Sequence, residues 1–100
     1  MNQQQERSFS LCAKTLDERK IVELFLEVIS LRREKNKMYC DAWKQLGIRG
    51  EFAVEFAKTY RLKSLIWDRK EPIFEGVRDN ILDIIVYCFH MLILLDEEQL

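Results

Sequence analysis

The chain has 100 residues, 48 % hydrophobic and 33 % charged, with a formal charge of −1. That is the composition of a single globular domain, and it argues against a disordered chain and against a basic nucleic-acid binder, which needs a cationic face for phosphate. Three glycines, one proline and no alternating β-branched stretch favour helices over strands. Cys12, Cys40 and Cys88 are odd in number and not in CxxC spacing, so neither a structural zinc site nor a disulfide framework is expected and the setting reads as reduced and cytoplasmic.

Residues 1–14 are polar and Gln-rich, with no signal-peptide pattern, and read as a loose N-terminal tail ahead of one domain over 15–100. Thr15-Leu16-Asp17-Glu18 fits a capping box, in which the Thr hydroxyl and the Glu carboxylate satisfy orphan amides at a helix start. Ile21, Leu24, Phe25, Val28 and Leu31 then recur at helical spacing, which predicts a first helix over 16–35. Met38 to Trp43 either continues it or forms a turn with a short helix of its own.

Gly47-Ile48-Arg49-Gly50 reads as a loop, because paired glycines punctuate a helix. A second helix follows over 51–67, with Phe52, Phe56, Thr59, Leu62 and Ile66 on its expected core face. A charged connector ends at Pro72, which suits the first turn of a third helix because its missing amide is an orphan there anyway. That helix is expected over 73–95. Its run from Ile81 to Leu95 is apolar except for Asp83 and His90, and at fifteen residues it is too short for a membrane span, which needs about 20. Asp96, Glu97 and Glu98 oppose the dipole at its end. Three long helices, with room for a short fourth, make an all-α bundle. A helix this apolar leaves surface that a small subunit cannot cover alone, so a homodimer is expected.

Asp79 and Asp83 lie one turn apart at the start of the apolar run, and Glu75 and His90 continue the stripe. Burying carboxylates is costly unless they are paired or bound to a cation. Glu51 and Glu55 are one turn apart on the second helix. Antiparallel packing of the two helices can bring all four carboxylates together as ligands for Mg²⁺ or Mn²⁺, and the matching chemistry is attack of water on phosphorus. Lys58 and Arg61, with Lys37, can neutralise a polyphosphate, and Tyr39 and Trp43 can stack a base. The plainer readings stand beside these: solvated glutamates, a solvated Lys/Arg face, an aromatic lid on the core and a core histidine.

Three segments carry a resemblance. Lys35-Asn36-Lys37-Met38-Tyr39-Cys40-Asp41-Ala42-Trp43, then Lys58-Thr59-Tyr60-Arg61-Leu62-Lys63-Ser64-Leu65, then Asp79-Asn80-Ile81-Leu82-Asp83-Ile84-Ile85-Val86-Tyr87 resemble the nucleotide modification associated domain 1 family. That family shows K-N-x-x-Y-x-D-x-W, K-x-x-R-L-x-x-L and D-x-L-L-D-L-x-x-Y in this order. The resemblance implies kinship with the MazG-like all-α nucleoside triphosphate pyrophosphohydrolases, which are helical, usually dimeric and bind Mg²⁺ through acidic residues on two helices. It also implies a link to nucleotide modification and bacteriophage biology. On that reading Glu51, Glu55, Asp79 and Asp83 hold the metal, Asp83 and Glu55 are catalytic, and Lys37, Tyr39, Trp43, Lys58 and Arg61 bind the nucleotide. Ala57 replaces the family's acidic residue before the helix-two lysine, and Cys40 stands where a glycine is common. A binding-only protein is the corresponding alternative. The rival from a different class is a non-enzymatic helical module, such as a small subunit of a larger protein assembly.

Overall fold

The computed structural model describes residues 2–5, 7, 12–71 and 76–97. The protein is all-α: three long helices, α1 (Leu16–Tyr39), α2 (Ala42–Ile66) and α3 (Val77–Glu97), account for most of those residues, and no strand occurs among them. The expected Pro72 start of the third helix, together with Ile73 and Glu75, lies outside the described residues, as does Glu98. No helix is long and apolar enough to cross a membrane, as judged over the described residues.

The chain divides into two compact units, Met1–Met38 and Tyr39–Leu100. In the first, α1 begins at the expected capping box. The Glu18 amide donates to Thr15 Oγ1 at 3.1 Å, and the Thr15 amide donates to Glu18 Oε2 at 2.9 Å. Asp17 and Glu18 sit in the first turn and Lys37 in the last, each of the sign the helix dipole favours. Val22 and Val28 are its buried residues. The helix runs through Lys35-Asn36-Lys37 to Tyr39, so the polar triplet does not end it. Cys40 ends it, with φ of 52°, the left-handed conformation common just past a helix end.

In the second unit the glycines act differently from expectation. Only Gly47 leaves the helix, with φ of 69° and ψ of −177°, a region essentially reserved for glycine. Residues 42–46 form a short helical segment that doubles back there, and the helix resumes at once through Gly50. At Gly50 a Cβ would stand 2.7 Å from Leu46 Cβ, so the folded-back segment needs a residue without a side chain at that position. The far end of α2 is closed by the Trp67 amide donating to the Lys63 carbonyl and the Lys70 amide donating to the Ser64 carbonyl, across Arg69 at φ of 53°.

α3 buries Asn80, Leu82, Asp83, Val86, His90 and Leu94, recurring at three- and four-residue steps along one side. Gly76 anchors its start: its carbonyl accepts both the Asn80 amide at 3.2 Å and Asn80 Nδ2 at 2.8 Å.

The side of α2 that turns inward is not the apolar one. Phe52 and Phe56 are 55 % and 57 % exposed and Ile66 is exposed too, whereas Glu51 is buried and Lys58, Leu62 and Leu65 are half-buried. The physical reason lies in α3. Its buried face carries Asp83 and His90, and stranding those groups costs more than leaving a phenylalanine in water. α2 is rotated so that its own charged residues meet them.

Candidate functional site

Two cross-helix contacts define the seam between α2 and α3. Lys58 Nζ lies 3.1 Å from Asp83 Oδ2, and Glu51 Oε1 lies 3.7 Å from His90 Nδ1. Moving seven residues up α2, from 51 to 58, moves seven residues down α3, from 90 to 83, so the helices are antiparallel. Seven residues at helical rise is about 10 Å, so the two polar contacts sit at opposite ends of a two-turn seam.

At the first end, the Asp83 side chain is 3 % exposed and the Lys58 side chain 16 % exposed. The carboxylate is sealed, and the lysine that pairs with it keeps only part of its side chain in solvent. At the other end, Glu51 is 2 % exposed. Its Oε1 is too far from His90 Nδ1 for a hydrogen bond, and its Oε2 has no hydrogen-bond partner among the described residues. Burial pushes the Glu51 carboxyl above its ordinary value, because the charged form loses its water. The Trp43 ring stacks on the His90 ring, centroids 4.2 Å apart and 12° from parallel. The Gly47 reversal makes this contact. In a straight helix Trp43 would lie about 12 Å along the axis from Glu51, out of reach of the histidine that Glu51 faces.

The remaining sequence-derived candidates are dispersed. Glu55 is half-buried and accepts a hydrogen bond from the Thr59 hydroxyl. It also bears on Cys88, whose thiol is pushed up first by burial and then by the Glu55 charge. Asp79 is exposed on the first turn of α3. Arg61 is exposed one turn beyond Lys58. Tyr39 is exposed. Lys37 belongs to the other unit and pairs with Glu34 at 3.0 Å on the surface. Trp43 is buried against His90, so the aromatic-lid reading describes its position and an open base-stacking face does not.

The four carboxylates therefore do not converge. Glu51 and Asp83 are separated by two turns, Asp83 is already neutralised by Lys58, and Asp79 faces solvent. No group of three or more His, Cys, Asp or Glu side chains able to hold a metal occurs among the described residues. The four protein oxygens expected to share one divalent cation are therefore not assembled among the described residues.

Two participants escaped the sequence reading. Asn80 is fully buried, and its place one turn before Asp83 on the stripe was the available signal. The Glu51–His90 pairing had none, since it joins residues 39 positions apart through a rotation of α2 that its apolar pattern contradicts. The chain matches no family model, no curated protein and no solved structure.

Proposed function

We propose that this protein binds a nucleotide as its magnesium complex along the α2–α3 seam. The observation that carries the reading is that each of the three segments with family resemblance places a residue on the same α2–α3 seam. Trp43 from the first, Lys58 from the second and Asp83 from the third all contribute to the interior of one helix pair. Lys58 is the phosphate-facing group on this reading. Its side chain is partly exposed beside the buried Asp83, and Arg61 stands exposed one turn further along the same helix. Charge-assisted contacts from two such groups suit a polyphosphate. Because the described carboxylates form no cage, the magnesium would be held mainly by the ligand's own phosphates and water, as is usual for that ion. Glu51, with a free buried carboxylate oxygen, is the acceptor available to a donor entering the other end.

Hydrolysis of a nucleoside triphosphate to monophosphate and pyrophosphate is the finer form of the proposal, and a link to nucleotide modification or bacteriophage biology goes with it. One experiment separates the levels. The pure full chain is titrated with natural and modified deoxynucleoside triphosphates in Mg²⁺, with binding read by calorimetry and pyrophosphate assayed in the same samples. Saturable binding weakened by Arg61→Ala is the expected result. Binding without pyrophosphate, unchanged in Asp83→Asn, removes the catalytic form. Absence of binding by every nucleotide removes the proposal.

A further inference from the structure

The seam as it stands is closed to a nucleotide, since Asp83 and Glu51 at its two ends are both buried. Resting on the nucleotide reading, we infer that residues 42–46 form a lid that turns on Gly47, and that Trp43 leaves His90 to stack on the incoming base. Trp43 is buried, whereas Ala42, Lys44, Gln45 and Leu46 are all exposed, so a single ring holds the segment down. A segment with so little buried apolar surface belongs to the low-stability end of a fold, from which binding lids are drawn. Gly47, at φ of 69° and ψ of −177°, is a residue able to absorb a large backbone change. At the other end Asp41 makes no side-chain capping hydrogen bond, and Cys40 has φ of 52°.

The polar group beside the lid points to a ligand. Glu51 is buried, and its Oε2 accepts no hydrogen bond among the described residues, a costly state for a carboxyl oxygen kept from water. Lifting Trp43 frees one face of His90, and Glu51 lies against that ring, with Oε1 3.7 Å from Nδ1. A base entering there exchanges one aromatic stack for another and offers Glu51 the donor it lacks. The phosphates then run towards Lys58, two turns or about 10 Å away, a span of the order of an extended nucleotide. The structure also supplies a wedge for the lid. At Gly50 an added Cβ would stand 2.7 Å from Leu46 Cβ. That atom is fixed to the backbone, so the segment itself, and not the tip of a side chain, has to lift. Alanine suits a helix better than glycine does, so Gly50→Ala raises the lid without weakening α2.

The test uses the full chain and N-methylanthraniloyl derivatives of the four natural deoxynucleoside triphosphates in Mg²⁺, with association and dissociation followed by stopped flow. Trp67 is 80 % exposed, and Trp67→Phe leaves Trp43 as the one indole in a chain that has two. In that background and without nucleotide, Gly50→Ala should shift Trp43 emission to the red and open it to acrylamide. Association should quicken roughly tenfold, because a closed lid leaves the competent state at about 10 % or less. Trp43→Leu should quicken association in the same way and, by losing the stack on the base, speed dissociation by roughly tenfold. Should Gly50→Ala lose its helical circular dichroism, Trp43→Leu carries the same rate measurement with α2 unaltered. No binding by any of the four nucleotides removes the nucleotide reading and the lid with it. Binding that persists while Trp43 stays shielded in a folded Gly50→Ala, or association unchanged in either variant, overturns the lid and leaves the nucleotide reading standing.

Discussion

The Lys58–Asp83 pair makes an asymmetric prediction. Breaking a buried ion pair by removing one partner costs about 3–5 kcal/mol when the surviving charge is left uncompensated. Which charge survives matters here, because the Asp83 side chain is 3 % exposed and that of Lys58 is 16 % exposed. Lys58→Met takes the cation away from a sealed carboxylate and should cost about 3–5 kcal/mol. Asp83→Asn leaves an ammonium on a flexible, partly exposed stem, from which it can turn to water. Its cost should be nearer the loss of one charge-assisted hydrogen bond, about 1.5–3 kcal/mol. Replacing both, Lys58→Met with Asp83→Leu, removes the need for either charge and should recover most of the loss. Urea unfolding followed by circular dichroism at neutral pH measures all three. For a domain of this size 1 kcal/mol corresponds to about 4–8 °C in melting temperature, so Lys58→Met should melt at least about 12 °C below wild type on the same scaling. An Asp83→Asn variant less stable than Lys58→Met, or a Lys58→Met variant indistinguishable from wild type, would refute the argument that burial sets the order.

Other outcomes follow from the same seam. Burial raises the Glu51 carboxyl above its ordinary 4.5, so the folded protein holds that proton more tightly than the unfolded chain does. Stability from this group is present below the unfolded value and is lost as pH rises through the folded one. Glu51→Gln should flatten that decline and be more stable than wild type at neutral pH, which paired denaturation series will show; a steeper decline would contradict the burial of the charge. Gly47→Ala forces a side chain into a glycine-only conformation and should cost about 1–3 kcal/mol. In a Trp67→Phe background its Trp43 emission should shift to the red, and an unshifted spectrum would mean that the reversal does not hold the indole in place. For Cys88, raised first by burial and then by Glu55, Glu55→Gln should lower the pH at which alkylation is half-maximal. Mass spectrometry of the labelled peptide reads this directly, and no change would remove Glu55 from its surroundings.

Helix content was written into the sequence by local rules. The capping box at Thr15 and Glu18, the near-absence of glycine and proline, and the three- and four-residue recurrence of apolar residues act within a few turns of chain. They require no knowledge of the rest of the molecule. So does the anomaly of Asp83 and His90 in an apolar run, which marked α3 as a helix with an unmet polar need. What met that need was decided only in three dimensions. The rotation of α2 depends on a balance between pairing the buried Asp83 with Lys58 and exposing a row of rings, and a helical pattern read alone always assigns the rings to the core. Likewise Gly47 is legible as a break, but its reversal of direction, which sets Trp43 on His90, depends on a single φ, ψ choice that only the packing of Leu46 over Gly50 and of indole over imidazole selects.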